Sequence, residues 1–222
     1  MSMGTGVGTG MGMGMGMGMG TGVDVVSAVG RFEDFATVVG TKRPDAGGCW
    51  CMSFRDSSVP SLDRPDAMRR ECAAEPGPGV LAYVDGEVAG WCSVAPRSSY
   101  RRLVRSRTLP WLDGPEPWSV VCFVVRPGYR RRGLMHALLA GAVAHARAHG
   151  AQVIEGYPIE KGEVKVDVIS GYVGTVEAFE RAGFHRAAPT TGRSGHRPRW
   201  LMRLELTPGP GSRSGTRSAP DA

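Results

Sequence analysis

The segment Val125-Arg126-Pro127-Gly128-Tyr129-Arg130-Arg131-Arg132-Gly133-Leu134-Met135 is the part of the chain best suited to chemistry. An apolar run ends, Pro-Gly turns the chain, and a helical pattern begins at a glycine flanked by arginines. The first turn of a helix presents unpaired N–H groups and a partial positive charge. A glycine there lets an anion approach the backbone, and arginines add forked donors. Physically this is a site for a diphosphate. It is not a P-loop, because no G-x-x-x-x-G-K-[ST] string occurs, and Gly128 and Gly133 are wrongly spaced for a dinucleotide fingerprint. A nucleic-acid-binding helix would repeat arginines along one face, yet only Arg147 follows Arg132 before Gly150.

A second chemical feature lies in Val153-Ile154-Glu155-Gly156-Tyr157. A carboxylate in so apolar a run is costly unless it is paired or working. Glu155 therefore reads either as a base or amine-binding group, or as half of a structural salt bridge to an arginine. Tyr157 falls on the same strand face and is a candidate acid or acceptor contact. Ser93 and Arg97, at the end of another apolar run, are candidates to meet an acceptor. Among the aromatics, Trp50, Trp91 and Trp118 read as core and Tyr100 as the exposed one. Cys49 and Cys51 form C-x-C without a second Cys/His pair at zinc-finger spacing, so no metal is expected and the five cysteines read as buried small hydrophobes.

Periodicity supplies the elements that must hold these groups. Helices are expected over Arg31–Val39, Asp63–Ala74 (Asp63 as cap), Ser98–Ser106, Arg131–His149 with Gly150 as its stop, and Thr175–Ala182. Strands are expected over Cys49–Phe54, Trp118–Val125, Ala151–Tyr157 and Trp200–Leu206. Val80–Val84 and Glu87–Val94, joined by Asp85-Gly86, form the clearest hairpin. Residues 159–171 read as loop. The nearly continuous apolar character of 118–125 fits a strand buried on both faces, and the strand–helix–strand unit implies a right-handed parallel crossover. The result is one α/β domain over 23–206.

The 222 residues carry 27 Lys+Arg against 21 Asp+Glu, a net charge of +6, and only three of the basic residues are lysine. A positive surface favours a phosphate-rich small molecule or nucleic acid as partner. Residues 1–22, almost all Gly and Met, and 207–222, rich in Pro, Gly, Ser and Arg, lack the pattern to close a core and read as disordered tails. The first has neither the charged nor the continuous apolar region of a signal peptide, and no run reaches the roughly 18–20 apolar residues of a membrane span. With five cysteines and no secretory signal, the expectation is a reduced, cytoplasmic protein without membrane or specific nucleic-acid partners, monomeric or homodimeric.

The arginine turn resembles the acetyl-CoA signature of the GNAT N-acetyltransferases, [QR]-x-x-G-x-[GA], with Arg130 in first place and Gly133 in fourth. Met135 stands where the family has Gly or Ala. The strand before the turn, the Ala/Leu helix after it, and a later helix ending Ala182-Gly183-Phe184 strengthen the resemblance, which covers roughly residues 80–206. It implies a mixed central sheet whose parallel strands 118–125 and 151–157 splay apart, flanked by helices. The pantetheine arm of acetyl-CoA would lie in the gap against Phe123 and Val125. Its diphosphate would sit on the N–H groups of Arg131, Arg132, Gly133, Leu134 and Met135, and an N–H near Val124 would polarise the thioester. It implies direct transfer of an acetyl group to an amine, taken here as that of a small molecule, without a Cys122 intermediate. The family's acid and base positions hold Phe179 and Ser119, so Glu155 and Tyr157 are the substitutes. That departure keeps a catalytically silent acyl-CoA-binding domain as the alternative.

Overall fold

The structure, a computed structural model, describes residues 22–43, 47–160 and 171–206. Residues 1–21 and 207–222, which are nearly all of the two tails, and nearly all of the loop expected at 159–171 lie outside the described residues.

Seven strands form one sheet in the order β1-β2-β3-β4-β5-β7-β6. They are β1 Val23–Ser27, β2 Gly79–Val84, β3 Glu87–Pro96, β4 Trp118–Val125, β5 Val153–Gly156, β6 His185–Ser194 and β7 Arg197–Glu205. Every neighbouring pair is antiparallel except β4 and β5, which run parallel. The helices are α1 Phe32–Val39, α2 Met52–Arg55, α3 Arg64–Cys72, α4 Arg101–Val104, α5 Leu134–Ala148 and α6 Val176–Arg181. The β2–β3 hairpin turns at Asp85 (φ 51°) and Gly86 (φ 81°), the two positive angles that a tight primed turn requires.

One face of the sheet packs on α5 and α6 through Val120, Phe123, Leu138, Leu139, Ile154 and Phe179. The other buries Phe35, Met68, Leu81 and Trp91 near β2 and β3, and Tyr100, Leu103, Val121, Tyr157 and Leu201 beside β4, β5 and β7. The crossover helix α5 seats closely because Gly141 faces β1. A Cβ there would lie 2.3 Å from the Val25 side chain.

Several expectations are corrected. Cys49–Phe54 is not a strand. Trp50 and Cys51 take left-handed backbone angles and a single helical turn follows, because the apolar side chains dock on two neighbouring clusters instead of alternating across a pleat. Helix α5 begins at Leu134, three residues late, since Arg131 and Gly133 are both left-handed. Asp63 occupies the cap position of α3 without a side-chain cap bond. The basic 98–106 stretch divides into a 3₁₀ turn at Arg97–Ser99 and α4. The last strand starts at Arg197, and β1 and β6 were not expected at all. Strand β6 is a polar edge interrupted by Pro189, so its side chains carry little apolar alternation.

Candidate active site: a forked strand pair and an arginine turn

Strands β4 and β5 pair at only three positions, Trp118↔Ile154, Ser119↔Glu155 and Val120↔Gly156. Beyond these, β4 continues to Val125 paired only on its β3 side, while β5 ends. The register between β3 and β4 slips at Ser93/Val94, leaving Val121 as an extra residue beside the start of the fork. The backbone of Val121–Val125 on the side facing away from β3 is therefore left without a strand partner, a polar edge inside an apolar gap.

Phe179 keeps the fork open. Fully buried, it meets Phe123 edge-on at 6.3 Å and Phe184 at 5.0 Å. Gly156 and Gly174 make room for it, with a Cβ on Gly156 falling 2.2 Å from the Phe179 ring. Gly156→Ala is thus expected to destabilise the domain by about 1–3 kcal/mol through overpacking, measurable by urea denaturation; an unchanged midpoint would remove Phe179 as the spacer.

At the far end of β4, a 3₁₀ turn over Pro127–Tyr129 leads into α5. Arg131 (φ 63°) and Gly133 (φ 76°) turn the backbone so that consecutive amides converge. The first helical amides to find an acceptor in the chain are those of His136 and Ala137, both bonding the Gly133 carbonyl at 2.9 and 3.3 Å. A cavity of 270 Å³ opens here, lined by Val125, Tyr129, Arg130, Arg131, Gly133, Leu134, Met135 and His136. A Cβ at Gly128 or Gly133 would meet nothing within 4 Å. Arg130 folds back to the Val125 carbonyl at 3.1 Å, and the Arg126 and Arg132 guanidiniums lie 5.4 and 5.8 Å from the Tyr129 ring centroid. Met135 is half-buried against the core below α5 and leaves the cavity open. Open space, free amides and arginines suit a diphosphate. Of the expected cofactor residues, Arg130, Arg131, Gly133, Leu134 and Met135 line this cavity together with Val125. Arg132 stands against Tyr129, and Phe123 and Val124 belong to the fork.

Glu155 and Tyr157 lie elsewhere, at the base of the fork. Glu155 is 1 % exposed and takes hydrogen bonds from Arg97 Nη1 (2.8 Å), Ser119 Oγ (3.2 Å), Arg203 Nε (3.4 Å) and the Tyr157 hydroxyl. Tyr157, first beyond the last β4–β5 pair, is also buried. Its hydroxyl accepts from Arg97 and sits 3.3 Å from Ser119 Oγ. Burial, and then the adjacent Glu155 carboxylate, holds its phenol well above the ordinary value, so it is protonated at neutral pH. Arg97 is held further by the carbonyls of Leu103 and Leu109 at 3.2 and 3.0 Å.

Arg97 therefore meets Glu155 inside the protein. Ser93 bonds the Tyr100 hydroxyl at 3.0 Å, and Tyr100, expected at the surface, is fully buried. Neither Arg199 nor Arg203 was among the expected site residues. The signal was their alternation with Leu201 along β7, which puts all three on one inward face. Cys51, Cys72 and Cys92 are buried as expected, but Cys49 is exposed and Cys122 half-buried. A hydrogen bond with the Cys51 thiol, with help from Arg64, brings the Cys49 thiol down to about 6, while burial pushes Cys51 well up. Among the described residues no three His, Cys, Asp or Glu side chains are arranged to hold a metal ion, and no helix is long and apolar enough to cross a membrane.

The site thus comprises a forked parallel strand pair in a mixed sheet and an arginine turn at the head of the crossover helix. The profile of the acetyltransferase (GNAT) family matches residues 49–158, reaching well N-terminal of the motifs that carried the resemblance. The chain carries an acetyltransferase domain of the GNAT family, whose members transfer an acyl group from acetyl-CoA to an amine. A GNAT-family acetyltransferase from Streptococcus pneumoniae superposes with a TM-score of 0.51 at 15 % identity, over 83 % of this chain and 99 % of that one. An N-acetyltransferase from Staphylococcus aureus Mu50 superposes with 0.50 at 12 % identity, over 83 % and 99 %. At these identities the likeness is one of fold. No curated protein sequence matches the chain.

Proposed function

We propose that the protein transfers an acetyl group from acetyl-CoA to the amine of a small molecule, by direct attack of the amine on the thioester. The observation that carries this reading is the fork. Three rungs of β4–β5 pairing, a spacer at Phe179 and an arginine turn beyond Val125 leave a slot with an unpaired strand edge at one end and free amides at the other. The pantetheine arm would bond the edge at Phe123–Val125, and the diphosphate would rest on Arg131–Met135. An amide near Val124, held rigid by the sheet, would stabilise the negative charge that develops on the thioester oxygen as the amine adds.

The departing thiolate needs a proton. Tyr157 stands at the base of the fork with its proton retained, and Glu155 fixes the direction of its hydroxyl. We assign proton donation to Tyr157, whose phenolate then takes up the proton that the nitrogen of the adding amine loses, and its positioning to Glu155. Ser119 and Phe179, at the family's usual positions, carry no comparable group. The unpaired cysteines fit a reducing compartment, and we place the reaction in the cytoplasm.

The test is incubation with acetyl-CoA and a panel of small amines, following free thiol by absorbance. Amine-dependent thiol release is expected; acetyl-CoA binding without release on any amine would overturn the reading. Tyr157→Phe keeps the ring and removes the proton. A fall in kcat of about 100-fold or more is expected, with the acetyl-CoA dissociation constant unchanged, and an unaltered kcat removes Tyr157 from the chemistry.

A further inference from the structure

Among the described residues three large apolar side chains stand well out of the surface: Leu62, Val104 (62 % exposed) and Trp111 (49 % exposed). Two of the three meet. Val104 and Trp111 line one cavity of about 550 Å³ together with Leu103, Arg97 and Glu116. Single exposed apolar residues are ordinary, but two that share a concavity form an anchor site for an apolar group. The polar groups of this cavity are already engaged. The terminal nitrogens of Arg97 donate to Glu155, to the Tyr157 hydroxyl and to the carbonyls of Leu103 and Leu109. The Glu116 carboxylate accepts from the Ser98 amide at 2.8 Å, and the Ser106 hydroxyl accepts from the Thr108 and Leu109 amides at 3.3 and 3.0 Å. What the cavity offers a visitor is contact with apolar atoms.

Helix α4 and the residues after it stand between this cavity and another. Leu103 and Val104 line the first, Arg101, Arg102 and Arg105 line the second, of about 410 Å³, and Ser106 lines both. Three- and four-residue spacing puts the arginines on one side of the segment. The carboxylate in the second cavity, Asp56, is bonded by Arg101 and by Ser58. Arg102 and Arg105 are exposed and have no carboxylate partner among the described residues. The surface thus sets an apolar cavity directly beside two uncompensated guanidiniums.

We propose that this face docks a peptide segment of a partner protein, in which a large apolar side chain lies close in sequence to acidic residues. The apolar side chain fills the cavity against Trp111, Leu103 and Val104. The carboxylates pair with Arg102 and Arg105 through the forked donors of the guanidinium. A nucleic-acid strand suits the face less, because the apolar cavity has no free donor for a phosphate and carries Glu116 in its lining. A second copy of this chain suits it less too, since a two-fold contact through one patch brings its own arginines together. The docking does not depend on the acyl-transfer reading: a folded chain that released no thiol from acetyl-CoA would still be expected to bind.

The experiment selects short random displayed peptides on the full chain and measures the affinity of the selected ones by fluorescence anisotropy. Enrichment of sequences that combine a Trp, Phe, Leu or Met with acidic residues is expected. Their affinity should fall about tenfold or more in Val104→Asp and, separately, in the double variant Arg102→Glu/Arg105→Glu. Raised salt should weaken binding to the parent protein and have less effect on what remains in the arginine variant. All three positions are exposed, so the melting temperatures should stay at the parent value; Val104→Ser and Arg102→Gln/Arg105→Gln take over where one falls. No enrichment, enrichment of neutral or basic sequences, or an affinity unchanged in either variant overturns the proposal. Tighter binding of a single-stranded oligothymidylate than of any selected peptide would assign the face to nucleic acid. A dimer in sedimentation that is lost in Val104→Asp would assign it to a second copy. Either of these results also overturns the proposal.

Discussion

Gly133→Glu is expected to abolish acetyl-CoA binding while the domain stays folded. Gly133 has a left-handed backbone (φ 76°) at the head of α5, and the space in front of it holds no atom of the chain within 4 Å. A side chain there meets no protein, so the folding cost is the left-handed angle alone, about 1–2 kcal/mol for a residue with a Cβ. For a domain of this size that lowers the melting temperature by a few degrees. The carboxylate, in contrast, would project into the 270 Å³ cavity among free amides and arginines, where it would satisfy the donors meant for the diphosphate and repel the anion itself. Two measurements decide the matter: the thermal midpoint of the free variant, and a calorimetric titration with acetyl-CoA. Wild-type affinity in a folded variant would show that the turn is not the diphosphate site. Gly133→Ala separates the two effects, since it carries the backbone cost without the charge and should bind measurably.

The second large effect is expected at Glu155. The carboxylate is enclosed and takes four side-chain hydrogen bonds, two of them from guanidiniums. Replacing it by leucine strands Arg97 and Arg203 as buried charges. Breaking a buried pair in this way costs about 3–5 kcal/mol, a drop in melting temperature on the order of 10 °C. Glu155→Gln is the gentler probe. It keeps an acceptor for Tyr157 but removes the charge that fixes the hydroxyl. Turnover should fall at least about tenfold, with acetyl-CoA affinity unchanged, because the carboxylate lies at the base of the fork and away from the arginine turn. Lowered stability with unaltered kcat would make Glu155 a structural residue only, as would a loss of kcat that disappears when activity is normalised to folded protein.

Local chemistry made much of this fold legible from the sequence. The Asp85-Gly86 hairpin, the Trp118–Val125 strand and the helix ending at Gly150 each rest on a residue type with a narrow conformational range, and all three stand as expected. The failures share a cause. At Cys49–Phe54 a short apolar run carries no period, and its conformation is decided by two tertiary clusters that no local pattern encodes. Strand β6 is an exposed edge whose polar composition looks like loop, and it forms because β7 offers it partners. The site divides the same way. The anion turn is a contiguous string, and hence visible. The paired environment of Glu155 joins residues of β4, β5, β7 and the turn after β3, and only the sheet order brings Arg97 and Arg203 to one carboxylate. An arginine partner was one of the two readings open for Glu155, but which arginine was not readable.

Phe179 has one more consequence. Because an apolar ring holds the two strands apart, the separation is settled when the chain folds. A ligand entering the slot has no strand pairing to break and no interval to wait for the strands to part. Its arrival should look like docking into a rigid groove, with a single binding phase whose rate rises linearly with concentration, and with little change in backbone amide exchange along β4 other than at the edge it covers.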